Sequence, residues 1–218
     1  TMRGDALFQT STIGGKTSGT VTVENAAAIS GSVTDVTAAL VTDPTKVVLG
    51  DASTVTVSGA VTAKEGADIA SVAKATATFS NGVDDALAKL ASSGAIMTDL
   101  TSLLGDDATV TITINDAGTL TAAAADLKAI GGATSGAVTV ENAAAISGTI
   151  ADVTAALVDV DTKVALDTAS MVSVNDVVSA SEGAAIADVA NATATYAGGV
   201  ADAMVSLYDT GSAATTNL

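Results

Sequence analysis

The chain of 218 residues has no cysteine, no histidine and no tryptophan, and only one proline, Pro44. Without His or Cys, several catalytic arrangements are excluded together: His-based triads, thiol nucleophiles and the usual zinc sites. The missing cysteines also rule out the disulfide staples on which small secreted domains rely. Lys and Arg number 8 against 24 acidic residues, a net charge of −16. Phosphate neutralisation needs clustered basic residues, so nucleic acid is excluded as a partner and an anionic membrane surface is disfavoured. No apolar run approaches the roughly 20 residues that span a bilayer, and no signal peptide is visible. The pattern starts in mid-phrase, so the chain reads as a segment of something longer.

Aromatics make up 2% of the chain although 48% is hydrophobic. The core must therefore be built from Val, Ile, Leu and Ala. Thin layers of small aliphatic side chains suit stacked repeats better than a roomy globular interior.

What the chain does contain is repetition. Gly19-Thr-Val-Thr-Val-Glu-Asn-Ala-Ala-Ala-Ile-Ser-Gly31 returns as Gly136-Ala-Val-Thr-Val-Glu-Asn-Ala-Ala-Ala-Ile-Ser-Gly148, 117 residues later. The register holds without a gap from Gly14/Gly131 to Leu90/Leu207, with 49 of 77 aligned positions identical. The divisions are then a lead-in over 1–13, a first repeat over 14–130, a second, partial repeat over 131–207 and a tail over 208–218. A finer period of about 29 residues separates short β-rich runs, the mark of a stacked array.

Within each period, Thr-Val-Thr-Val alternation predicts a half-buried strand. Ser32 with Asp35, and Thr149 in the second copy, read as caps of short helices whose inward stripes are Val33, Val36, Leu40 and Ile150, Val153, Leu157. Further helices are expected over Ala67–Lys74, from Val83 through Leu87 and Leu90, and from Leu120 to a stop at Gly131-Gly132. Ala91–Leu104 departs from the pattern, extending the preceding helix or adding another. Thr109–Ile114 is the clearest strand. Strands alternating with helices imply parallel pairing. The expected fold is α/β: a repeat solenoid of strand–short helix coils with a parallel sheet. Tandem β-sandwich modules are the alternative.

Chemistry has few places to reside. Asp84-Asp85, Asp106-Asp107 and Asp159/Asp161 are paired carboxylates, but nothing marks a cleft, and helix starts and turns account for them. Asp159, Asp161, Asn115 and Asp116 offer oxygens of the kind that calcium takes, although turn chemistry explains them as well. No catalytic residue and no cofactor is assigned, a structural calcium ion excepted as a candidate. Arg3-Gly4-Asp5 matches an adhesion tripeptide, and chance at a terminus explains it better. Repeated Thr-x-Thr pairs suggest a hydroxyl array like the ice-binding face of some repeat proteins, yet Thr is simply a good exposed strand residue.

The phrase from Thr134 to Leu157, preceded by Leu120-Thr-Ala-Ala-Ala-Ala-Asp-Leu127, resembles the repeats of very large bacterial extracellular proteins of the S-layer-like and RTX-adhesin-like kinds. The resemblance covers about Gly14 to Leu207 and brings no catalytic residues. It implies a non-enzymatic structural or adhesive segment at the cell surface. Its partners would be neighbouring repeats of the same protein, or a surface glycan. A glycan- or ice-binding module is the other functional expectation.

Overall fold

The computed structural model describes residues 19–42, 47–161, 164–166 and 170–203. In chain order these form β1 (Val21–Val23), β2 (Ala28–Ser32), α1 (Val33–Val36) and a π-helical turn (Thr37–Val41). Next come β3 (Val47–Leu49), β4 (Thr54–Ser58), α2 (Ala63–Val72), β5 (Thr76–Phe79) and β6 (Val83–Asp85). A short α3 (Leu87–Leu90) leads into the hairpin β7 (Ala91–Ser92) and β8 (Ala95–Ile96), then α4 (Thr98–Asp106) and β9 (Ile112–Ile114). The remainder is β10 (Leu120–Ala123), α5 (Ala124–Ala133), β11 (Val138–Val140), β12 (Ala144–Gly148), α6 (Ile150–Val153) and a second π-helical turn (Thr154–Val158). It closes with β13 (Val164–Leu166), β14 (Ser170–Val174), α7 (Ala180–Val189) and β15 (Asn191–Tyr196).

The protein is mixed α/β with several parallel sheets, as strand–helix alternation requires. Two compact units divide it: 1–85 with 97–112, and 86–96 with 113–218. The division cuts across the 117-residue repeat, because the end of the first copy packs with the second.

In the first unit β1 pairs with β3, and β2–β4–β5 form a second sheet, all parallel. The registers are Val21↔Val47, Ala28↔Thr54 and Thr54↔Thr76, so each strand meets one a short helix further along the chain. Val55, Val57, Ala77 and Phe79 turn inward; Thr56 and Thr78 turn outward. In the second unit β10–β12–β14–β15 form a parallel sheet and β11 pairs with β13. The registers repeat those of the first copy: Val138↔Val164, Ala145↔Met171 and Met171↔Thr193. Only the two-residue hairpin β7–β8 is antiparallel among the described pairs. Sandwich modules, whose strands pair antiparallel, gain nothing from this.

The core is aliphatic, as the composition demands. Val36, Leu40, Ile69, Leu100 and Leu103 fill the first unit, and Leu127, Ile130, Ile146, Val153 and Ile186 the second. Ser32 accepts the Asp35 N–H at 3.2 Å, and Thr149 accepts that of Asp152 at 3.1 Å, so both expected caps are present. Two full capping boxes, Thr62 with Glu65 and Ser179 with Glu182, start α2 and α7.

Several expectations are corrected. Ala28–Ser32 and Ala144–Gly148, to which no element was assigned, are strands that lead into the capped helices, with Ile29 and Ile146 buried on alternation. The segment from Val83 begins as a strand, with helix only over Leu87–Leu90. Val83, Leu87 and Leu90 are nonetheless all buried. Helix α5 starts after a strand and continues through Gly131-Gly132, with Gly131 buried. The stretch after Ala91 adds both a hairpin and a helix. Pro44, Arg3-Gly4-Asp5 and the tail lie outside the described residues.

One polar bond recurs in both copies. The Ser53 hydroxyl accepts the Ala27 N–H at 3.1 Å and donates to the Gly50 carbonyl at 2.7 Å. Its counterpart Ser170 accepts the Ala144 N–H, also at 3.1 Å. Both serines are fully buried. Ser170→Ala strands a buried donor and Ser53→Ala a half-buried one, so they are expected to cost about 1–3 kcal/mol in urea unfolding, Ser53→Ala at the lower end. Surface-like losses below about 0.5 kcal/mol would show that these bonds are incidental.

Candidate functional site

The described residues hold no group of three or more acidic side chains arranged to bind a metal ion. Asp159 and Asp161 flank Val160 in a wholly exposed turn after the second π-helical turn. Asn115 is exposed at the end of β9. Asp116 is already engaged. Its carboxylate accepts the Leu87 N–H at 2.7 Å, and its carbonyl accepts from the Asn142 side chain at 3.0 Å. The four calcium candidates thus do not converge: Asp159 and Asp161 form one exposed pair, and Asp116 serves the backbone.

Of the paired carboxylates, Asp85, Asp106 and Asp107 have the same employment. Asp85 accepts the Ala63 N–H at 3.0 Å, and its copy Asp202 accepts the Ala180 N–H at 3.2 Å. Asp176 does this for Ile150 at 2.8 Å and Asp126 for Gly94 at 2.6 Å. Asp106 and Asp107 take the N–H groups of Ala77 and Phe79 at 2.9 and 3.0 Å. In each case an acidic side chain binds an amide 22–32 residues earlier in the chain. Asp85, expected at a helix start or turn, ends a strand and serves the start of an earlier helix. The signal was present as an Asp at matching positions of both copies, but the length of the return was not readable.

Glu182 and Asp152 are solvent-accessible. The Ser179 N–H and hydroxyl donate to Glu182 at 2.8 and 2.7 Å and hold its pKa below the usual glutamate range. Lys128, at 3.0 Å, and then the Thr149 hydroxyl lower that of Asp152. A lowered folded pKa means stability that is complete above the ordinary glutamate range and lost as pH falls through the folded value. Removing the Ser179 hydroxyl (Ser179→Ala) is therefore expected to move the Glu182 midpoint part of the way back up in an NMR titration. It should also shift the acid limb of the stability curve upward. An unmoved Glu182 midpoint would mean that the box does not persist in solution.

The surface with most regularity is the outer side of the sheets. On β2–β4–β5, Ser30, Thr56 and Thr78 stand in register, with Ala28, Thr54 and Thr76 as the adjacent row. On β10–β12–β14–β15 the rows are Ala123, Ser147, Ser173, Thr195 and Thr121, Ala145, Met171, Thr193. Neighbours along a row lie about 4.8 Å apart and the two rows about 6.6 Å apart, by strand geometry. This is a face of hydroxyls and methyls, with Met171, 53% exposed, interrupting it in the second copy. A depression of about 220 Å³ in the first unit is lined by Leu40, Val47, Leu49 and Val72, with Lys74 the one charged group on its wall. Ser71 also lines it, and among the described lining residues there is no carboxylate to pair with either side chain.

The chain matches no protein-family model, no curated protein and no solved structure. Among the described residues, no helix is long and apolar enough to cross a membrane.

Proposed function

We propose that this chain is a structural repeat segment, a non-catalytic spacer or lattice element of a large bacterial cell-surface protein, built as an α/β solenoid. The observation that carries this reading is the exact re-use of connections. Registers of 26 and then 22 residues link β2–β4–β5 and again β12–β14–β15. The serine bond (Ser53, Ser170), the caps (Ser32 and Thr149, Thr62 and Ser179) and one aspartate bond (Asp85, Asp202) recur in both copies. Such nearest-neighbour bonding lets an array grow without a central core. The extracellular setting comes from the resemblance of the repeats to S-layer-like and RTX-adhesin-like regions. Fractionation of cells producing the full-length protein tests it: recovery at the surface or in the medium is expected, and strictly cytoplasmic recovery overturns it.

The Ser/Thr rows favour a second reading, a module that binds glycan or ice on the sheet face. Ice-recrystallisation and glycan-array assays discriminate; activity lost in Thr56→Leu would favour this reading over a pure spacer. A structural calcium ion at Asp159 and Asp161 is checked by calorimetry, since an ion bound only by the folded state raises the melting temperature.

A further inference from the structure

The two copies differ in how their last strand is finished, and the first copy shows what the second lacks. Residues alternate in direction along a parallel strand. Ser80 N–H bonds to the Val57 carbonyl on β4, so Ala77 and Phe79 direct their N–H groups away from β4. Those outward groups are met by the carboxylates of Asp106 and Asp107 at 2.9 and 3.0 Å. Helix α4, which delivers this Asp-Asp pair, lies along α2 with Leu103 packed on Gly66; a Cβ there would meet Leu103 Cδ1 at 2.1 Å. Ala77 and Phe79 are buried as a result, 0% and 3% exposed.

In the second copy, Ala197 N–H bonds to the Val174 carbonyl on β14, so by the same alternation Ala194 and Tyr196 face outward from β15. Both are only half-buried, and among the described residues no carboxylate meets their N–H groups. Helix α7 likewise has no α4-like neighbour among the described residues. Ala184, the counterpart of buried Ala67, is half-buried, and Ala187 is exposed. After Ala203 the sequence has one acidic residue, Asp209, and no Asp-Asp pair. Where Leu103 would rest on the helix, the Tyr196 ring lies 3.4 Å from a Cβ at Gly183, and its hydroxyl donates to the Gly183 carbonyl.

We infer that the outer edge of β15 and the adjoining flank of α7 are a docking site for an amphipathic helix ending in Asp-Asp, of the kind formed by Met97–Asp107, supplied by a further repeat unit. Leucines at the spacing of Leu100, Leu103 and Leu104 enter beside Gly183 and displace the Tyr196 hydroxyl. The two carboxylates then take the N–H groups of Ala194 and Tyr196. A second copy of this same chain is not the donor, because its Asp106 and Asp107 are occupied on its own β5. This inference rests on the repeat reading but not on the surface location, so failed fractionation leaves it standing.

The probe is a synthetic peptide of residues Met97–Val110, added to the intact chain and followed by amide hydrogen exchange and NMR. Exchange at Ala194 and Tyr196 should slow by roughly tenfold or more at saturation, while Ala77 and Phe79 stay unchanged. A peptide carrying Asp106→Ala and Asp107→Ala should bind at least roughly tenfold more weakly, since two charge-assisted bonds are gone. The Tyr196→Phe protein should bind the unaltered peptide roughly 2- to 10-fold more tightly, because the competing hydroxyl bond is lost. Absence of binding at millimolar peptide overturns the inference. So does protection of Ala194 and Tyr196 before peptide is added, which would mean that the edge is already closed.

Discussion

Gly82→Ala is expected to destabilise the protein by roughly 2–5 kcal/mol, whereas Gly199→Ala, the same change at the matching position, costs only about 1–2 kcal/mol. Both glycines close the turn after an equivalent strand and have positive φ, +77° and +83°. Each donates its N–H 3.0 Å back to the aromatic residue three positions earlier, Phe79 or Tyr196. The backbone penalty of a left-handed alanine is thus common to the two, at about 1–2 kcal/mol. Their surroundings differ. A Cβ on Gly82 would lie 2.3 Å from Thr111 Oγ1 and 2.6 Å from the Thr111 carbonyl oxygen. That carbonyl accepts the Val83 N–H at 2.8 Å, so it cannot retreat without loosening the attachment of β6. A Cβ on Gly199 would meet no described atom within 4 Å beyond its chain neighbours. Urea denaturation of the two variants checks the difference through the midpoint at constant slope. Equal losses would show that the crowding at Thr111 is relieved at no cost. A Thr111→Ser change would not rescue Gly82→Ala, since the closest immovable atom is backbone.

The comparison of these two turns illustrates what sequence could and could not reveal. Asn81-Gly82 was readable as a turn from residue type alone, but the neighbour that crowds Gly82 is Thr111, just before β9 and about 30 residues on. Local signals behaved in the same way elsewhere. Ser32 and Thr149 were legible as caps because capping needs only three residues. Thr54–Val57 was legible as a strand because one face is buried on alternation. Ala28–Ser32 was not, since Ala-Ile-Ser-Gly has one large apolar residue and no visible period. Leu120 and Ala122 were absorbed into a helix because alternation over four residues is masked by the helical stripe of Leu127 and Ile130 that follows. The glycine pair at 131–132 suggested a stop, yet α5 runs through both, with Gly131 buried and Gly132 exposed. For the site, the lack of His and Cys was legible from composition, while the Ser/Thr rows depend on inter-strand register, which no short window contains.

Asp107→Ala is the second large effect, at about 2–4 kcal/mol, and it bears on why the protein is so acidic. Asp107 is 8% exposed, so a carboxylate there must be well supplied with donors. It has three: the Phe79 N–H at 3.0 Å, the Thr109 N–H at 3.3 Å and the Thr109 hydroxyl at 2.9 Å. Alanine removes these charge-assisted bonds and leaves the Phe79 amide buried without an acceptor, the expensive half of the change. Asp107→Asn keeps an acceptor oxygen and should lose about half as much. Asp106→Ala, whose carboxylate is half-buried, should cost about 1–2 kcal/mol. Thermal or urea unfolding ranks the three, and amide exchange at Phe79 should accelerate in Asp107→Ala before the global transition. A loss below about 0.5 kcal/mol for Asp107→Ala would refute the assignment. The same reasoning extends to Asp85, Asp116, Asp126, Asp176 and Asp202, each of which accepts a backbone N–H from an earlier segment. Acidity in this chain is therefore partly structural: aspartates tie one strand–helix step to the next where a backbone carbonyl does not reach. Because Asp106 and Asp107 also cover the outward amides of β5, removing both should open a strand edge, a template for unwanted pairing. The double alanine variant is accordingly expected to self-associate at concentrations where the parent chain does not, which sedimentation velocity would register directly.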